Sequence, residues 1–150
     1  MLINPGEVYA IKTLIGFGFI QFVSLLDTGI ELVRILEPIK QSADLSQNEV
    51  DALERFSLQF PVKAANKKKL IQKVGQFAIP KHYSIPKKTR TEHNVRGEFL
   101  GWQIVEVKTL KRELKKALSK EDLKLSPHGI FNDTLLIEYL EKDWRLEDWK

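Results

Sequence analysis

The first third of the chain carries the hydrophobic pattern of three consecutive strands. β-Branched and aromatic residues fill positions 8–11 and 17–23, and an alternating run follows at 30–36. The segment 27–29, Asp-Thr-Gly, predicts a hairpin turn, because Asp and Gly tolerate the backbone angles that such turns require. The third run has apolar residues on both faces, so we expect both faces of this strand to be partly covered. Together these signals predict an antiparallel meander.

Positions 39–80 predict one short helix and two further strands. Ser46 and Glu49 have the spacing of a capping box, so we predict a helix over 46–56. Apolar residues at alternate positions then predict two strands, at 58–62 and at 74–79.

The remainder of the chain predicts a loop, a strong strand and several short helices. Segment 81–98 is polar and basic, so we expect a mobile loop there. The aromatic and β-branched run at 99–107 predicts a strand. A stripe of Leu and Ala predicts a helix over 111–118, and Asn132 or Asp133 is the predicted N-cap of the last helix.

These elements define an α+β fold with a bent, mainly antiparallel sheet and helices toward the C-terminus. Gly16 and Gly18 lie in the second strand, where they would let the sheet bend enough to close into a small barrel. The length of 150 residues suits one domain. We therefore predict a single domain over 1–150, strand-rich over 1–107 with the short helix near 46–56, and helical over 110–150.

The composition excludes several classes of protein. Hydrophobic residues make up 43% and charged residues 29% of the chain, which is typical of a soluble globular protein. The chain has no cysteine, so a disulfide framework, a Cys-ligated zinc site and a Cys nucleophile are excluded. The longest apolar run, at 14–26, is much shorter than the roughly 20 residues that span a bilayer. The N-terminus also lacks a secretory signal pattern, so we expect a cytoplasmic protein with no membrane partner.

Charge is distributed unevenly along the chain. Residues 1–62 hold 4 basic and 8 acidic side chains, whereas residues 63–124 hold 17 basic and 6 acidic ones. Residues 125–150 are acidic again, with 3 basic and 6 acidic side chains. The basic middle segment would suit an anionic partner. A simpler interpretation is that the acidic ends pack near it and partly cancel its field.

The middle segment supplies most of the candidate partner-binding residues. Trp102 follows the basic residues in sequence and would stack on a base or pack against a protein. Either an acidic protein surface or a nucleic-acid backbone would suit the charges. The basic candidates are Lys67, Lys68, Lys69, Lys87, Lys88 and Arg90.

Two tryptophans in the last seven residues form a separate candidate. Trp144 and Trp149 bracket a short acidic tail. Buried tryptophan is typical of cores and of interfaces. We therefore expect the tail either to dock onto the domain or to contact a partner.

No complete catalytic motif accompanies these surfaces. The segment from Gly16 to Gly18 lacks the third glycine of a dinucleotide fingerprint and the Lys-Ser/Thr of a P-loop. His82, His93 and His128 do not have the spacing of metal ligands. We expect no cofactor, no metal and no enzymatic activity. A small enzyme remains an alternative that requires a pocket holding His93 or His128 beside a carboxylate.

The opening of the chain resembles immunity protein 26, a family of bacterial polymorphic toxin systems. The resemblance is carried by Ile-Asn-Pro-Gly-Glu-Val-Tyr-Ala-Ile at 3–11 and by Gly-Phe-Gly-Phe-Ile-Gln-Phe-Val at 16–23. The strand Gly-Trp-Gln-Ile at 101–104 also fits the layout of that family. These motifs are structural, so no catalytic residue is carried over.

The resemblance implies an intracellular protein that binds and neutralises a cognate toxin. A nuclease toxin would have a basic substrate-binding surface, which acidic residues near the N-terminus would complement. A toxin with an acidic surface would instead meet the lysines of 63–90. The acidic candidates are Glu31, Glu37, Asp44, Glu49, Asp51 and Glu54.

Overall fold

Two antiparallel sheets and three α-helices form the fold in the computed structural model, which describes residues 3–150. Two short 3-10 turns cover Asp122–Lys124 and Leu146–Asp148. The helices are α1 (Gln47–Asp51), α2 (Val62–Lys67) and α3 (Asp133–Glu141). The strands are β1 (Glu7–Thr13), β2 (Gly16–Leu25), β3 (Glu31–Ile35), β4 (Phe56–Gln59), β5 (Gln72–Gln76), β6 (Lys88–Val95), β7 (Glu98–Glu106) and β8 (Arg112–Lys115).

The larger sheet has the strand order β4-β3-β2-β1-β5, and its neighbouring strands are antiparallel. β1, β2 and β3 form the predicted meander. β4 and β5 occupy opposite edges, so the connection through α2 crosses the sheet between them. Register shifts interrupt the pairing of β1 with β5 and of β2 with β3. Such bulges increase the local twist, which gives this sheet its bend.

The main hydrophobic core lies on the face of the larger sheet that α2 and α3 cover. Leu136 and Leu140 of α3 and Val62 of α2 are buried in one cluster with side chains of the sheet. Gly18 lets α3 approach closely, because a Cβ at this position would lie 2.5 Å from Cδ1 of Leu140. The strand residues of the cluster are Tyr9, Ile11, Ile20, Val33, Ile35, Phe56 and Leu58.

A second, smaller cluster covers the opposite face. Val8 and Ala10 of β1 and Phe19 of β2 are buried there with Leu36 and Val50, the buried residue of α1. Every residue of β3 is buried, as expected for a strand that is covered on both sides.

The smaller sheet has the order β6-β7-β8, and the segment 126–131 connects it to the larger one. The amide of Arg90 donates to the carbonyl of Ser126 at 3.0 Å, and that of His128 donates back to the carbonyl of Arg90 at 2.8 Å. On the other side, the amide of Phe131 donates to the carbonyl of Gln59 at 2.9 Å. The segment therefore covers the outer edges of both β6 and β4.

The structure confirms the α+β class and two of the predicted helix caps. Ser46 and Glu49 form the reciprocal bonds of a capping box at the start of α1. The side chain of Asn132 accepts the amide of Leu135 at 2.8 Å at the start of α3. The strand predicted at 99–107 is β7.

Two boundaries in the middle of the chain differ from the prediction. The helix predicted over 46–56 is too long, because α1 ends at Asp51 and β4 follows. The strand predicted at 58–62 occupies Phe56–Gln59 instead. Val62 begins α2, a helix that was not predicted because its sequence signal is weak. The helix forms because its apolar side is buried in the core.

Larger errors concern the second half of the chain. The loop predicted at 81–98 contains β6, whose alternating charged residues are those of a strand with one exposed face. The helix predicted over 111–118 is the strand β8, so the region 110–150 is not wholly helical. Pairing with β7 outweighs the helical propensity of this short segment. The strand predicted at 74–79 is β5, which begins and ends slightly earlier.

Within residues 3–150 the strands remain in two sheets, and neither sheet closes into the predicted barrel. The edges β4 and β5 of the larger sheet do not pair with each other. α2 connects these two strands across one face of the sheet. Its apolar side covers that face, so the core is buried without a closed barrel.

Candidate functional site

A buried arginine forms the centre of the smaller sheet. Arg90 of β6 pairs with Ile104 of β7, and Glu92 pairs with Trp102, so alternation along each strand directs these side chains to one face. Arg90 is fully buried and Trp102 is almost fully buried. The C-terminal residues cover this face through Trp149, whose ring lies against both side chains.

Backbone carbonyls satisfy the guanidinium of Arg90. Its Nε donates to Leu125 at 3.1 Å, and its Nη2 donates to Leu123 at 3.2 Å and to Leu146 at 2.9 Å. Its Nη1 donates to the carbonyl of Trp149. Burial lowers the pKa of Arg90 to about 10. Arg90 therefore holds the 3-10 segment at Asp122–Lys124 and the C-terminal segment against the sheet.

A continuous chain of aromatic rings extends from this centre in both directions. Trp102 contacts Trp149 with ring centres 5.0 Å apart, and Trp149 contacts Trp144 at 5.5 Å. Trp144 continues to Tyr139 of α3 at 4.6 Å. At the other end, Phe99 meets Trp102 edge-on at 5.6 Å. The tail is therefore docked on the domain, which is one of the two outcomes expected for Trp144 and Trp149.

The aromatic chain ends in an exposed apolar tip, the hairpin of β6 and β7. Val95, Phe99 and Leu100 are 44%, 50% and 48% exposed, and the turn between the strands is formed by Arg96 and Gly97. We call residues 95–100 the apolar tip. Its pairing with the sheet is regular apart from one register shift beside His93.

The outer face of the smaller sheet is polar. Gln103 of β7 donates from Nε2 to Nδ1 of His93 at 2.7 Å in one tautomer of the ring, and its Oε1 accepts from Arg112 of β8. Nδ1 of His128 lies 3.1 Å from the hydroxyl of Thr89. Burial, and then the positive charge of Arg112, lower the pKa of His128.

A second buried arginine lies in the larger sheet. Arg34 donates from Nε to Glu54 at 2.8 Å and from Nη1 to Oε1 of Gln21, its neighbour on β2, at 2.5 Å. Its Nη2 bonds to the carbonyls of Val50 and Ala52. The same Glu54 oxygen lies 3.2 Å from Nε2 of His82. This network joins β2, β3 and the end of α1.

The structure places the predicted binding residues in three different environments. Arg90 and Trp102 are inside the protein, so they do not contribute to an exposed basic and aromatic surface. Trp144 and Trp149 are half-buried. Lys67, Lys68 and Lys69 are exposed at the end of α2, and Lys87 and Lys88 are exposed at the start of β6.

Topology also separates the exposed lysines. The run at 67–69 precedes β5, one edge of the larger sheet, whereas 87–88 precedes β6, which joins the opposite edge through the segment 126–131. The apolar tip was missed because its residues were interpreted as a loop and the start of a strand. The consecutive Phe and Leu after a glycine turn are the signal that identifies it.

Two cavities of the described residues differ in size and in lining. A partly open cavity between the two sheets has a volume of about 20 Å³, which accommodates little more than one water molecule. A second, more open depression of about 420 Å³ lies between Pro61 and α3 and has no histidine in its lining. In the described part of the chain, no three His, Asp or Glu residues are grouped to hold a metal ion. The described partners of His93 and His128 are Gln103 and Thr89, and the described histidine with a carboxylate partner is His82.

Comparisons of this chain with protein-family models, curated proteins and solved structures found no match. Among the helices of residues 3–150, none has the length and apolar character needed to cross a membrane.

Proposed function

We propose that this chain is a non-catalytic binding protein, an intracellular immunity protein that neutralises a cognate toxin by occluding its active surface. The observation that carries the proposal is the apolar tip, where Val95, Phe99 and Leu100 are exposed together on one hairpin. Exposed apolar side chains that lie close together are typical of protein interaction sites, and Phe99 and Leu100 are consecutive in the chain. The resemblance to immunity protein 26 supports the same class.

The tip is anchored in a way that favours binding. Phe99 packs edge-on against Trp102, which itself contacts Arg90 and Trp149. A side chain that is already ordered loses less conformational entropy on binding. Arg96 at the turn adds a residue type that is enriched in interaction hot spots.

The two buried arginines hold structural elements together. Arg34 and Arg90 use their donors on Gln21, Glu54 and backbone carbonyls, which connects structural elements. Among the described residues, every buried polar side-chain atom has a hydrogen-bond partner. The donors of these arginines are therefore committed to the fold.

The test is binding to the protein encoded beside this chain's gene, together with protection of cells that express that protein. Calorimetry would give the affinity, and growth would give the protection. The variant Phe99→Ala with Leu100→Ala should weaken binding about 30-fold or more, the size of a hot-spot loss. Leu14→Ala is the matched control, because Leu14 is 93% exposed on a turn of the other sheet. Failure of the unaltered chain both to bind and to protect would overturn the proposal.

A nucleic-acid-binding module is a second candidate, favoured by the exposed run Lys67, Lys68 and Lys69 at the end of α2. Phosphate contacts by lysine weaken steeply as salt increases. Retention of RNA or DNA that disappears with salt, and in the triple Lys→Glu variant, would support this candidate. Unchanged retention in that variant would exclude the run as the binding site.

A further inference from the structure

The strand β8 forms an open edge of the smaller sheet. Its partner is β7, with Arg112 opposite Val105 and Leu114 opposite Gln103. Arg112, Glu113 and Leu114 are exposed, and Leu114 is 65% exposed. An open strand edge is a template for pairing with another chain.

The register identifies which backbone groups of β8 face outward. The amide of Glu106 donates to the carbonyl of Lys111 at 2.9 Å, so this pair is a hydrogen-bonded one. Bonded and non-bonded pairs alternate along antiparallel strands. Glu113 and Lys115 therefore bond to β7, and the amides and carbonyls of Arg112 and Leu114 point away from it.

The other described edges are less suited to accept a strand. The segment 126–131 covers β4 and β6 with hydrogen bonds to Gln59 and Arg90. A register shift interrupts β5 where it pairs with β1 between Val8 and Tyr9. The pairing of β7 with β8 has no such shift, so β8 presents a regular edge.

The charges of β8 select the kind of strand that it accepts. Lys111, Arg112, Lys115 and Lys116 flank a single acid, Glu113, and Leu114 lies among them as an apolar anchor. Lys115 also pairs with Asp122 at 2.8 Å. Pairing of β8 with a second copy would bring like charges together, which is unfavourable on neighbouring strands. An acidic strand would bring opposite charges together.

We propose that β8 binds an extended acidic segment of a protein partner as an added antiparallel strand. The outward amides and carbonyls of Arg112 and Leu114 supply the main-chain hydrogen bonds. The basic side chains pair with acids of the segment, and Leu114 contacts an apolar residue opposite it. This inference rests on the proposed function only in taking the partner to be a protein.

A designed peptide provides a direct test with the full chain. The peptide Glu-Glu-Val-Thr-Glu-Glu, in antiparallel register, places acids opposite the four basic residues and valine opposite Leu114. We expect it to shift the backbone amide resonances of Arg112 and Leu114 in a titration followed by NMR. The peptide with lysine in place of each glutamate, and the one with proline in place of valine, should bind at least tenfold more weakly. Proline removes the amide that would bond to the edge.

Variants of the chain separate the backbone contribution from the charge. Leu114→Pro removes the outward amide while leaving the bonded pairs with β7 intact, and should reduce peptide affinity at least tenfold. Lys111→Glu with Lys116→Glu should do the same by reversing charge. Lys12→Glu with Lys81→Glu is the matched control, because both lysines are exposed and lie outside the smaller sheet, and it should leave the affinity unchanged.

Besides the absence of peptide binding, three outcomes would overturn the inference. These are equal binding of the acidic and lysine peptides, tighter binding of a single-stranded oligonucleotide to the same amides, and a dimer in sedimentation that Leu114→Pro dissociates. The outcome is separable from that of the proposed function. Toxin binding that survives in Leu114→Pro, with no peptide binding by the unaltered chain, would reject this inference and leave the function in place.

Discussion

The guanidinium carbon of Arg90 lies 4.2 Å from the ring centre of Trp149 and therefore directly beneath the C-terminal segment. The same carbon lies 5.1 Å from the ring centre of Trp102, so the cation contacts two indoles that also contact each other. Cation–π contacts of desolvated arginine stabilise by about 2 kcal/mol. This relationship makes the tail part of the smaller sheet's core rather than a free extension.

Replacing Arg90 should destabilise the protein substantially. Arg90→Met keeps much of the volume but leaves four carbonyl acceptors without their donor. A buried polar group that loses its partner costs about 1–3 kcal/mol, so we expect a loss of about 2 kcal/mol or more in the free energy of unfolding. Urea denaturation would measure it. Lys88→Met, an exposed change on the same strand, should be nearly neutral, and equal stability of both variants would contradict the role of Arg90.

Truncating Trp149 should loosen the tail and expose the two residues beneath it. Trp149→Ala removes the contacts to Arg90, Trp102 and Trp144. We expect a loss of about 1–3 kcal/mol in the free energy of unfolding, since the residue is only half-buried. Fluorescence of the remaining tryptophans should shift to longer wavelength as water reaches them. Glu147→Ala, an exposed change in the same segment, should leave both signals unchanged.

The sequence patterns predicted the larger sheet better than the smaller one. The β1–β3 meander has strong alternation and a clear Asp-Thr-Gly turn, so its local signals agree with its tertiary pairing. β6 and β8 are charged strands on either side of β7, and their identity depends on pairing with it. Local propensity is weak where tertiary contacts determine the element. A helix was therefore predicted where β8 lies.

The candidate site shows the same limit. Arg90 was grouped with exposed lysines because charged residues are mostly on surfaces. Its burial follows from the docking of residues 123–149, whose carbonyls meet it from distant positions in the sequence. No short-range pattern encodes such contacts. The docking of the C-terminal tail could be expected, because two tryptophans in so short a segment need burial, whether on the domain or against a partner.

The pair Arg34 and Glu54 should be strongly coupled. Glu54 has only 15% of its side chain exposed, and Arg34 has none. Removing one member of such a pair leaves a desolvated charge, so Arg34→Met and Glu54→Gln should each destabilise. We expect a coupling energy of about 1–3 kcal/mol in a double-mutant cycle measured by denaturation. A coupling energy of zero would show that Gln21 and the backbone carbonyls alone hold the guanidinium of Arg34.

His128 should make the stability depend on pH in the weakly acidic range. Burial and the charge of Arg112 hold the pKa of His128 below its ordinary value of 6.5, so the folded state binds fewer protons than the unfolded one. Above pH 6.5 the imidazole is neutral in both states, and the free energy of unfolding is unaffected. As the pH falls through the folded pKa, the unfolded state binds the proton more readily, so this part of the free energy of unfolding is lost. His128→Asn should therefore flatten the decrease in unfolding free energy as the pH falls below about 6.5. An unchanged slope would assign the dependence to other groups.

Gly18 should be sensitive to a single added carbon. Its backbone φ lies outside the left-handed region, so alanine is conformationally acceptable and the effect is one of space. A Cβ there would lie 2.5 Å from Cδ1 of Leu140, a fully packed residue of α3. Overpacking of this kind costs about 1–3 kcal/mol, because the leucine must leave its rotamer or the helix must move.

The double variant identifies the cause. Leu140→Ala alone should destabilise by about 2–5 kcal/mol through the cavity that it leaves. Combined with Gly18→Ala, it should cost less than the sum of the two, since the added methyl group then has room and partly fills that cavity. Thermal or urea unfolding of the four proteins would measure the difference. Strict additivity would mean that Gly18 is required for the bend of β2 rather than for the approach of α3.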